Sequence, residues 1–234
     1  VFDSGVGGLT VLGALRARLP AERLIYLGDT ARVPYGTKAP ETVRRYAVNV
    51  TELLIERDCK AIVIACNTAS AFALEAVSAH VAVPVIDVIR PVASAVAVSS
   101  THGRIGVLGT RGTVASGAYL RALARIGRPL HVAQQSCPLF VPLAEEGWTS
   151  GEVPTRVAER YLADLLARES LDSLVLGCTH YPLLRDVIAD VVGRCSPTPV
   201  RIHDSAEHTA DCVARKLAAD GLAAAAAGDG SLGF

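Results

Sequence analysis

Two cysteines, Cys66 and Cys178, stand in similar settings about half the chain apart. Each ends a short apolar run, AIVIAC or SLVLGC, and hydrogen-bonding side chains follow it, Asn-Thr after the first and Thr-His after the second. A thiol near a helix N-terminus has a lowered pKa, because the helix dipole and the free backbone amides stabilise the thiolate. The pattern therefore predicts two reactive thiols that act as acids and bases on a small carboxylate or amine.

Two other interpretations of these cysteines compete with this one. Free cysteine is often a small, fully buried core residue, but the repeated setting and the polar companions argue against that role. Cys66, Cys178 and His180 could also bind zinc, although no local spacing typical of zinc ligands supports such a site. No C-x-x-C pair occurs, and we interpret the remaining cysteines as structural: Cys59, Cys137, Cys195 and Cys212.

A glycine-rich turn, DSGVGG, carries two more candidates near the start of the chain, Asp3 and Ser4. Because the turn follows the stub of a strand, Asp3 is expected to reach the same cleft and to position or accept a proton there. Its competing role is that of a helix N-cap, and the turn matches neither G-x-G-x-x-G nor a Walker loop. A PYG turn presents Tyr35, and Glu145 and Glu146 of LAEEG are by default solvated.

The elements that must position these residues alternate along the chain. Runs rich in Val, Ile and Leu predict strands at RLIYLG, AIVIAC, VPVIDV, RIGVLG, LHVAQQ, SLVLGC and PVRIHD. Helical spacing of apolar residues predicts helices at Leu9–Leu19, Glu41–Arg57, Val114–Ile126, Thr155–Arg168 and Leu183–Val192, and helices are expected from Ser70 and Pro182 after the two cysteines. Continuous apolar strands separated by helices indicate parallel sheets covered on both faces, which is an α/β fold.

The chain also repeats itself weakly. AIVIACNTAS resembles SLVLGCTHYP, and VFDSGVGGLTV lines up with VLGTRGTVASG at a similar interval. We therefore expect two pseudo-symmetric, three-layer α/β domains with mostly parallel sheets, residues 1–91 with 204–234 and residues 92–203, the chain crossing at Ile89–Ala97. Ligands bind beyond the carboxyl ends of the strands in such sheets, so the site is expected in the cleft between the domains.

Composition argues against several classes of partner. The 234 residues are 50% hydrophobic with a formal net charge of zero, and Lys and Arg form no patch, so neither nucleic acid nor a membrane surface is an expected partner. No apolar run is long enough to span a membrane, and unpaired cysteines without an export signal favour the cytoplasm. We expect a strand to begin upstream of Val1, and no fixed structure from Leu222 to Phe234.

Several segments occur together in a recognisable order: FDSGVGGLTV, GDTARVPYG, ACNTAS, GTRGTV, CPLFVPLAEEG, GCTHYP and HDSAE. Together they resemble the glutamate racemase family, within the cofactor-independent aspartate/glutamate racemase superfamily. The pair ACNTAS and GCTHYP at this separation is the specific part, while the glycine turn alone is not. The chain departs from the family's G-V-I-x-P-G pattern at DVIRPV, where Asp87 and Val92 replace glycines.

The resemblance implies an isomerase that interconverts L- and D-glutamate and supplies D-glutamate for peptidoglycan synthesis, cell-wall biogenesis and cell shape. One thiolate would remove the Cα proton and the other thiol would protonate the opposite face, with no cofactor and no metal. Asp3 would assist Cys66, and His180 with Glu145 would assist Cys178. A homodimer is also implied, and the residues that would hold the substrate are Asp3, Ser4, Tyr35, Gly36, Asn67, Thr68, Thr179 and His180.

Other functions compete with this one. Aspartate and hydantoin racemases are also expected to use two catalytic cysteines, whereas arylmalonate decarboxylase is a relative that is expected to use one. A non-catalytic, two-lobed protein that binds a small ligand would explain the cleft but not the thiols at both related positions. Within the site, Glu146 is the alternative to Glu145 as the partner of His180.

Overall fold

The computed structural model describes residues 1–225, 228 and 230–234. The strands in that part of the chain are Phe2–Asp3 (β1), Leu24–Ile25 (β2), Leu27–Gly28 (β3), Ile62–Ile64 (β4), Val85–Asp87 (β5), Arg104–Gly109 (β6), His131–Ser136 (β7), Ser173–Gly177 (β8), Arg201–Asp204 (β9) and Leu232–Gly233 (β10). They form one sheet of order β3-β1-β4-β5, a second of order β7-β6-β8-β9, and a separate β10-β2 pair. Each of these neighbouring pairs is parallel.

Helices follow the strands and cover the sheets. They are Leu9–Arg18 (α1), Pro40–Ile55 (α2), Asn67–His80 (α3), Ile89–Ser99 (α4), Arg111–Ser116 (α5), Ala118–Ala124 (α6), Phe140–Glu145 (α7), Glu152–Arg168 (α8), Arg185–Cys195 (α9) and Ala206–Ala219 (α10). Pro40 begins α2, in the first turn, where its missing N–H is not needed. Within the described residues, no helix combines the length and apolarity that crossing a membrane requires.

Successive residues of a central strand face different cores, which is why the strand sequences are continuously apolar. In β4, Ile62 and Ile64 face the core closed by α2 and α3, while Val63 faces the core closed by α1 and α10. In β8, Val175 faces α4 and α6, and its neighbours face α8 and α9. Each sheet is thus covered on both faces, and the predicted α/β fold with parallel sheets is confirmed. We call the first sheet with its helices the first half and the second sheet with its helices the second half.

Some element boundaries differ from the prediction. The run RLIYLG forms two strands rather than one, because β2 pairs with β10 while β3 pairs with β1. The predicted helix Val114–Ile126 is split into α5 and α6 by Gly117, which adopts the left-handed conformation that favours glycine. These breaks depend on pairing partners and on a single backbone angle, which apolar periodicity does not report.

The segments after the two cysteines also differ from the prediction. Helix α3 begins at Asn67 rather than Ser70, and Cys66 itself is its N-cap residue. After Cys178 the chain forms a 3₁₀ turn, Tyr181–Leu184, and α9 starts only beyond that turn. The expectation of an α-helix N-terminus next to each thiol is therefore right for the first cysteine and wrong for the second.

The C-terminal tail is partly structured, so the expectation of no fixed structure from Leu222 to Phe234 is wrong for its described end. Strand β10 pairs with β2, and Lys60 Nζ donates to the Leu222 carbonyl at 2.6 Å while it pairs with Glu22 at 2.7 Å. Backbone groups and the last side chains hold the described end of the tail. The alanine- and glycine-rich composition therefore gave no indication that this end is structured. The expectation also covered residues 226, 227 and 229, which lie outside the described residues.

The two departures from the family pattern have a structural explanation. Asp87 Oδ1 accepts the backbone N–H groups of Ile89 at 2.8 Å and Arg90 at 2.9 Å, and Oδ2 pairs with the Arg90 guanidinium. These bonds satisfy amides that begin α4 and have no partner within the helix. Val92 is buried in the core that α4 forms against the second sheet. The predicted crossing, Ile89–Ala97, lies within this helix.

Candidate active site

Most of the predicted site residues line one small cavity, at the carboxyl ends of strands from both sheets. Its volume is about 20 Å³, which is room for one water molecule. An amino acid is larger than this, so the walls must separate before one can enter. Asp3 is buried behind the wall, and Glu145 does not line it. The wall consists of Ser4, Pro34, Tyr35, Gly36, Cys66, Asn67, Thr68, Thr110, Val141, Cys178, Thr179 and His180.

Cys66 lies at the end of β4, where its Sγ accepts the Ala69 N–H at 3.5 Å. The Sγ also lies 3.7 Å from the Ser4 hydroxyl oxygen. Burial, reinforced by the charge of Asp3, raises the pKa of the Cys66 thiol to about 12, while the Ala69 amide acts in the opposite direction. The lowered pKa expected from the helix N-terminus is therefore wrong, because loss of hydration outweighs the amide that was correctly expected.

Cys178 lies at the end of β8 and faces an imidazole. Its Sγ is 3.9 Å from His180 Nδ1, and His180 Nε2 is 2.5 Å from Glu145 Oε1. Burial raises the pKa of the Cys178 thiol, and the backbone amide of His180 opposes this. Both Glu145 and Glu146 have exposed surface, and it is Glu145 that makes the contact with the imidazole. The arrangement can pass a proton between a thiol and an imidazole that a carboxylate orients.

Asp3 is fully buried between the two halves. Its Oδ2 accepts the Gly5 N–H at 2.9 Å, and its Oδ1 accepts the Thr179 hydroxyl at 3.2 Å. Burial raises the pKa of this carboxyl, and the charge of His180 acts against that shift. The alternative role as a helix N-cap does not apply, because α1 starts after Gly8 and has no side-chain cap.

Asn67 is held by a residue that the sequence analysis did not single out, Tyr119 of α6. The Tyr119 hydroxyl donates to Asn67 Oδ1 at 2.7 Å across the two halves. Asn67 Nδ2 is buried with no hydrogen-bond partner among the described residues, and the residue lines the cavity. A buried donor without a partner is costly, so the amide is well placed to receive a ligand carboxylate.

Thr68 belongs to a cluster of hydroxyl groups that sequence reasoning also missed. Its Oγ1 lies 3.0 Å from that of Thr110 and 3.2 Å from that of Thr113. Thr110 lines the cavity beside Thr68. The segment GTRGTV carried the signal, since Thr110 follows β6 just as the predicted residues follow β4 and β8.

Tyr35 and Gly36 line the cavity as predicted, but the Tyr35 hydroxyl is already engaged. It donates to Asp29 Oδ2 at 2.5 Å, and Arg32 lies 3.4 Å from the same carboxylate. Tyr35 therefore offers a ligand its ring and backbone rather than a free hydroxyl.

Gly7 allows the glycine-rich turn to approach the second half closely. A Cβ at this position would lie 2.5 Å from His180 Nδ1 and 2.6 Å from Thr179 Oγ1, closer than such atoms can approach. Packing between the halves thus accounts for this glycine without a phosphate ligand.

The remaining cysteines lie outside the cavity wall. Cys137 is buried, Cys195 is exposed, and Cys59 and Cys212 are half-buried. In the part of the chain that the structure describes, no three His, Cys, Asp or Glu side chains are grouped so that they could hold a metal ion.

The fold and the site together define a class of protein. It is a two-lobed α/β protein with two buried thiols at the wall of one small cavity, each thiol next to a polar side chain that can exchange a proton. A family model described as Asp/Glu/Hydantoin racemase matches residues 10–213. The chain belongs to the Asp/Glu/hydantoin racemase family, and it is accordingly a racemase, an isomerase.

Individual relatives agree with this assignment. A glutamate racemase of Geobacter metallireducens is 54% identical over 218 residues, 93% of this chain and 78% of that protein. A Thermus thermophilus glutamate racemase, solved with beta-chloro-D-alanine, has a TM-score of 0.83 at 48% identity and covers 94% of this chain and 80% of its own. The Francisella tularensis enzyme, solved with D-glutamate, has a TM-score of 0.90 at 36% identity, with 99% and 84% covered. The resemblance inferred from the motifs is confirmed.

The raised thiol pKa values predict slow alkylation of both site cysteines. Iodoacetamide at pH 7 should modify the exposed Cys195 first and Cys66 and Cys178 last, because only the thiolate reacts and burial disfavours it. With a pKa of about 12, Cys66 should react ever faster as the pH rises beyond the ordinary thiol value of 9.0. Mass spectrometry after timed labelling measures the rates, and unfolding in urea should equalise them. Equal rates for Cys66 and Cys195 in the folded protein would contradict the prediction.

Proposed function

We propose that the chain interconverts L- and D-glutamate by moving the Cα proton between two cysteine thiols. The observation that carries the proposal is the pair Cys66 and Cys178, buried at the wall of one small cavity and contributed by opposite halves. The choice of glutamate is supported by the relatives, since the Geobacter protein is a glutamate racemase and the Francisella enzyme was solved with D-glutamate.

The reaction needs one thiolate and one thiol on opposite faces of the substrate. The thiolate takes the proton from Cα and becomes a thiol, leaving the electron pair on Cα and its carboxylate. The second thiol then gives its proton to the other face and becomes the thiolate. The two sulfur atoms have exchanged roles, so protons and electrons balance without a cofactor or metal. In this proposal Cys66 and Cys178 are the two acid/base residues.

A thiolate must first be generated, because burial raises the pKa of both thiols. On the Cys178 side, His180 is close enough to accept the thiol proton, and Glu145 stabilises the imidazolium that forms. On the Cys66 side, the buried carboxylate of Asp3 assists, since burial raises its own proton affinity. The substrate's ammonium group brings a positive charge into the cavity, which also favours a thiolate.

The carbanion has no electron sink, so hydrogen bonds and exclusion of water must stabilise it. Asn67 Nδ2 has a free donor, and the hydroxyls of Thr68 and Thr110 lie on the same wall. We assign these donors to the substrate's carboxylates. The full set of proposed substrate contacts keeps the residues named from the sequence: Asp3, from behind the wall, with Ser4, Tyr35, Gly36, Asn67, Thr68, Thr179 and His180.

The wider setting follows from the same proposal. D-glutamate from this reaction would serve peptidoglycan synthesis, and unpaired cysteines support a cytoplasmic location. We keep the division into residues 1–91 with 204–234 and residues 92–203, which is supported by the packing of α10 on α1. The homodimer stays a prediction that sedimentation equilibrium can test.

Circular dichroism of L-glutamate solutions tests the proposed function. With enzyme present the signal should decay to zero, and in deuterated water the product from either enantiomer should carry deuterium at Cα. L-aspartate is the alternative substrate in a parallel assay. A faster decay with L-aspartate would identify aspartate, rather than glutamate, as the preferred substrate. A signal that stays constant with both amino acids would favour the alternative of a non-catalytic binding protein. Racemisation without incorporation of deuterium would exclude a mechanism in which a thiol exchanges its proton with solvent.

Removing one thiol at a time should separate the two faces of the reaction. Cys66→Ala and Cys178→Ala should each lower racemisation by about 10⁴-fold or to background, the upper range for loss of a positioned acid or base. The remaining thiol can still remove and return a proton on its own face, so each variant should exchange Cα hydrogen of one enantiomer without inversion. The two variants should act on opposite enantiomers.

Proton NMR in deuterated water measures this exchange, with Cys195→Ala as the matched control that retains racemisation. Exchange of the same enantiomer by both variants, or racemisation by either, would contradict the two-thiol mechanism.

The adjacent glutamates provide a matched pair for the second helper. Glu145→Gln should lower kcat by about tenfold or more, within the range typical of acid/base groups, because the amide cannot stabilise an imidazolium at His180. KM should change little, since Glu145 does not line the cavity. Glu146→Gln removes the same charge at an exposed position and should leave both constants within about twofold of the unmodified enzyme, the range expected for a surface substitution. Steady-state kinetics of both variants measures kcat and KM. Equal losses of kcat in the two variants would exclude a specific role for Glu145 in supporting His180.

A further inference from the structure

The turn that carries Asp3 and Ser4 is fixed from behind by Tyr26, the residue between β2 and β3. The Tyr26 hydroxyl donates to the Gly5 carbonyl at 2.6 Å in a buried position. The Gly5 N–H donates in turn to Asp3 Oδ2 at 2.9 Å. Both backbone groups of Gly5 are therefore held, one by the tyrosine and the other by the carboxylate.

The position of this turn decides the surroundings of Cys66. Ser4 lies between Asp3 and Gly5 in the chain, and its hydroxyl oxygen is 3.7 Å from the Cys66 Sγ. The charge of Asp3 also acts on the same thiol. A displacement of Gly5 would move both groups relative to the sulfur. Cys178 and its partner His180 lie together on one segment of the second half, which the same turn contacts through Gly7, so the distance between these two groups is set within the second half.

Tyr26 acts through the turn and not on a ligand, because it does not belong to the cavity wall. The packing around its hydroxyl is tight: a Cβ at Gly8 would lie 2.8 Å from the Tyr26 oxygen and 2.4 Å from Asp3 Cβ. Burial raises the pKa of Tyr26, and the charges of Asp3 and Cys66 act in the same direction. The hydroxyl therefore keeps its proton and remains a donor.

The tyrosine is itself held by the C-terminal strand. Its backbone N–H donates to the Gly233 carbonyl at 2.8 Å, and its ring meets that of Phe234 edge to face with centroids 6.5 Å apart. The tail, Tyr26 and the glycine-rich turn thus form one continuous chain of contacts that ends at Asp3.

We propose that Tyr26 is a positioning residue for the Cys66 side of the reaction, acting through its hydrogen bond to the Gly5 carbonyl. This inference rests on the proposed two-thiol racemisation. According to this inference, the surroundings of Cys66 are held in place by the Tyr26 hydroxyl, which lies on the opposite side of the glycine-rich turn.

Tyr26→Phe removes the hydroxyl and keeps the ring. We expect kcat to fall by about tenfold with KM within about twofold, because a small displacement of a reacting group lowers the rate more than it weakens binding. Thr51→Val is the matched control: the buried Thr51 hydroxyl also donates to a backbone carbonyl, that of Ala47 at 2.7 Å, but within α2 and outside the cavity wall, and its kinetics should be unchanged. An unchanged kcat in a folded Tyr26→Phe protein would overturn the proposal.

A second variant displaces the same carbonyl and keeps the tyrosine hydroxyl, while the added methyl group would also lie 3.3 Å from Tyr26 Cε1. A Cβ at Gly28 would lie 2.7 Å from the Gly5 carbonyl oxygen, so Gly28→Ala should push it away and reproduce the loss of kcat. Gly13→Ala places a methyl group where, among the described residues and apart from the backbone of its own helix and its chain neighbours, no atom lies within 4 Å, and it serves as the control. Full activity of Gly28→Ala would also overturn the proposal.

The decisive measurement compares the two thiols separately. Tyr26→Phe should lower Cα hydrogen exchange by about tenfold in the Cys178→Ala background, where Cys66 is the working base, and by less than about twofold in the Cys66→Ala background. Equal losses in both backgrounds would indicate a general structural defect and would overturn the positioning role. Absence of racemisation in the unmodified protein would instead refute the proposed function itself, so the two failures are distinguishable.

Discussion

Asp3 has no exposed surface, and each of its carboxylate oxygens is occupied, one by the Gly5 N–H and the other by the Thr179 hydroxyl. A buried charge without partners is far more costly than one with them. The first half therefore depends on a hydroxyl from the second half to keep this carboxylate buried. Separation of the two halves at this contact would hydrate the carboxylate, so closure of the site and satisfaction of Asp3 would be energetically linked.

Burial has two consequences for the thiols that this closure encloses. It raises their pKa, which keeps both of them protonated in the free protein. It also removes water, which strengthens every charge–charge interaction that the substrate introduces. In the proposed mechanism, the substrate's ammonium and the neighbouring bases would generate the thiolate only once the substrate is bound. A thiol with a low pKa in the free protein would be a weaker base toward Cα.

Much of the site could be predicted from the sequence because its residues are local to strand ends. Cys66 and Cys178 follow continuous apolar strands, and their polar neighbours come next in the chain. Tyr119 and Tyr26 could not be found this way, since each contacts a residue that is remote in the sequence. Their partners are known only once the two halves, or β2 and the glycine-rich turn, are placed side by side.

The sign of the thiol pKa shift escaped prediction for a related reason. The amide that lowers the pKa of Cys66 is three residues away in the chain and is visible in the sequence. The desolvation that outweighs this amide comes from all the atoms of both halves that exclude water from the thiol. The end of the tail was missed because β10 is held mainly by backbone hydrogen bonds, which leave no apolar period. Local chemistry was thus predictable, while quantities that depend on the whole packing were not.

In the proposed mechanism the helpers of the two thiols are unequal, yet the reaction that they would serve is symmetric. L- and D-glutamate have the same free energy in water, so the ratio of kcat/KM for the two directions is fixed at unity whatever surrounds each sulfur. Asp3 and Ser4 on one side, and His180 with Glu145 on the other, therefore cannot favour one product at equilibrium. Their difference can only decide how tightly each enantiomer is held and how kcat divides between the two directions. On the proposed mechanism, the two-lobed fold supplies two faces, and the unequal helpers would adjust each face to the enantiomer that it deprotonates.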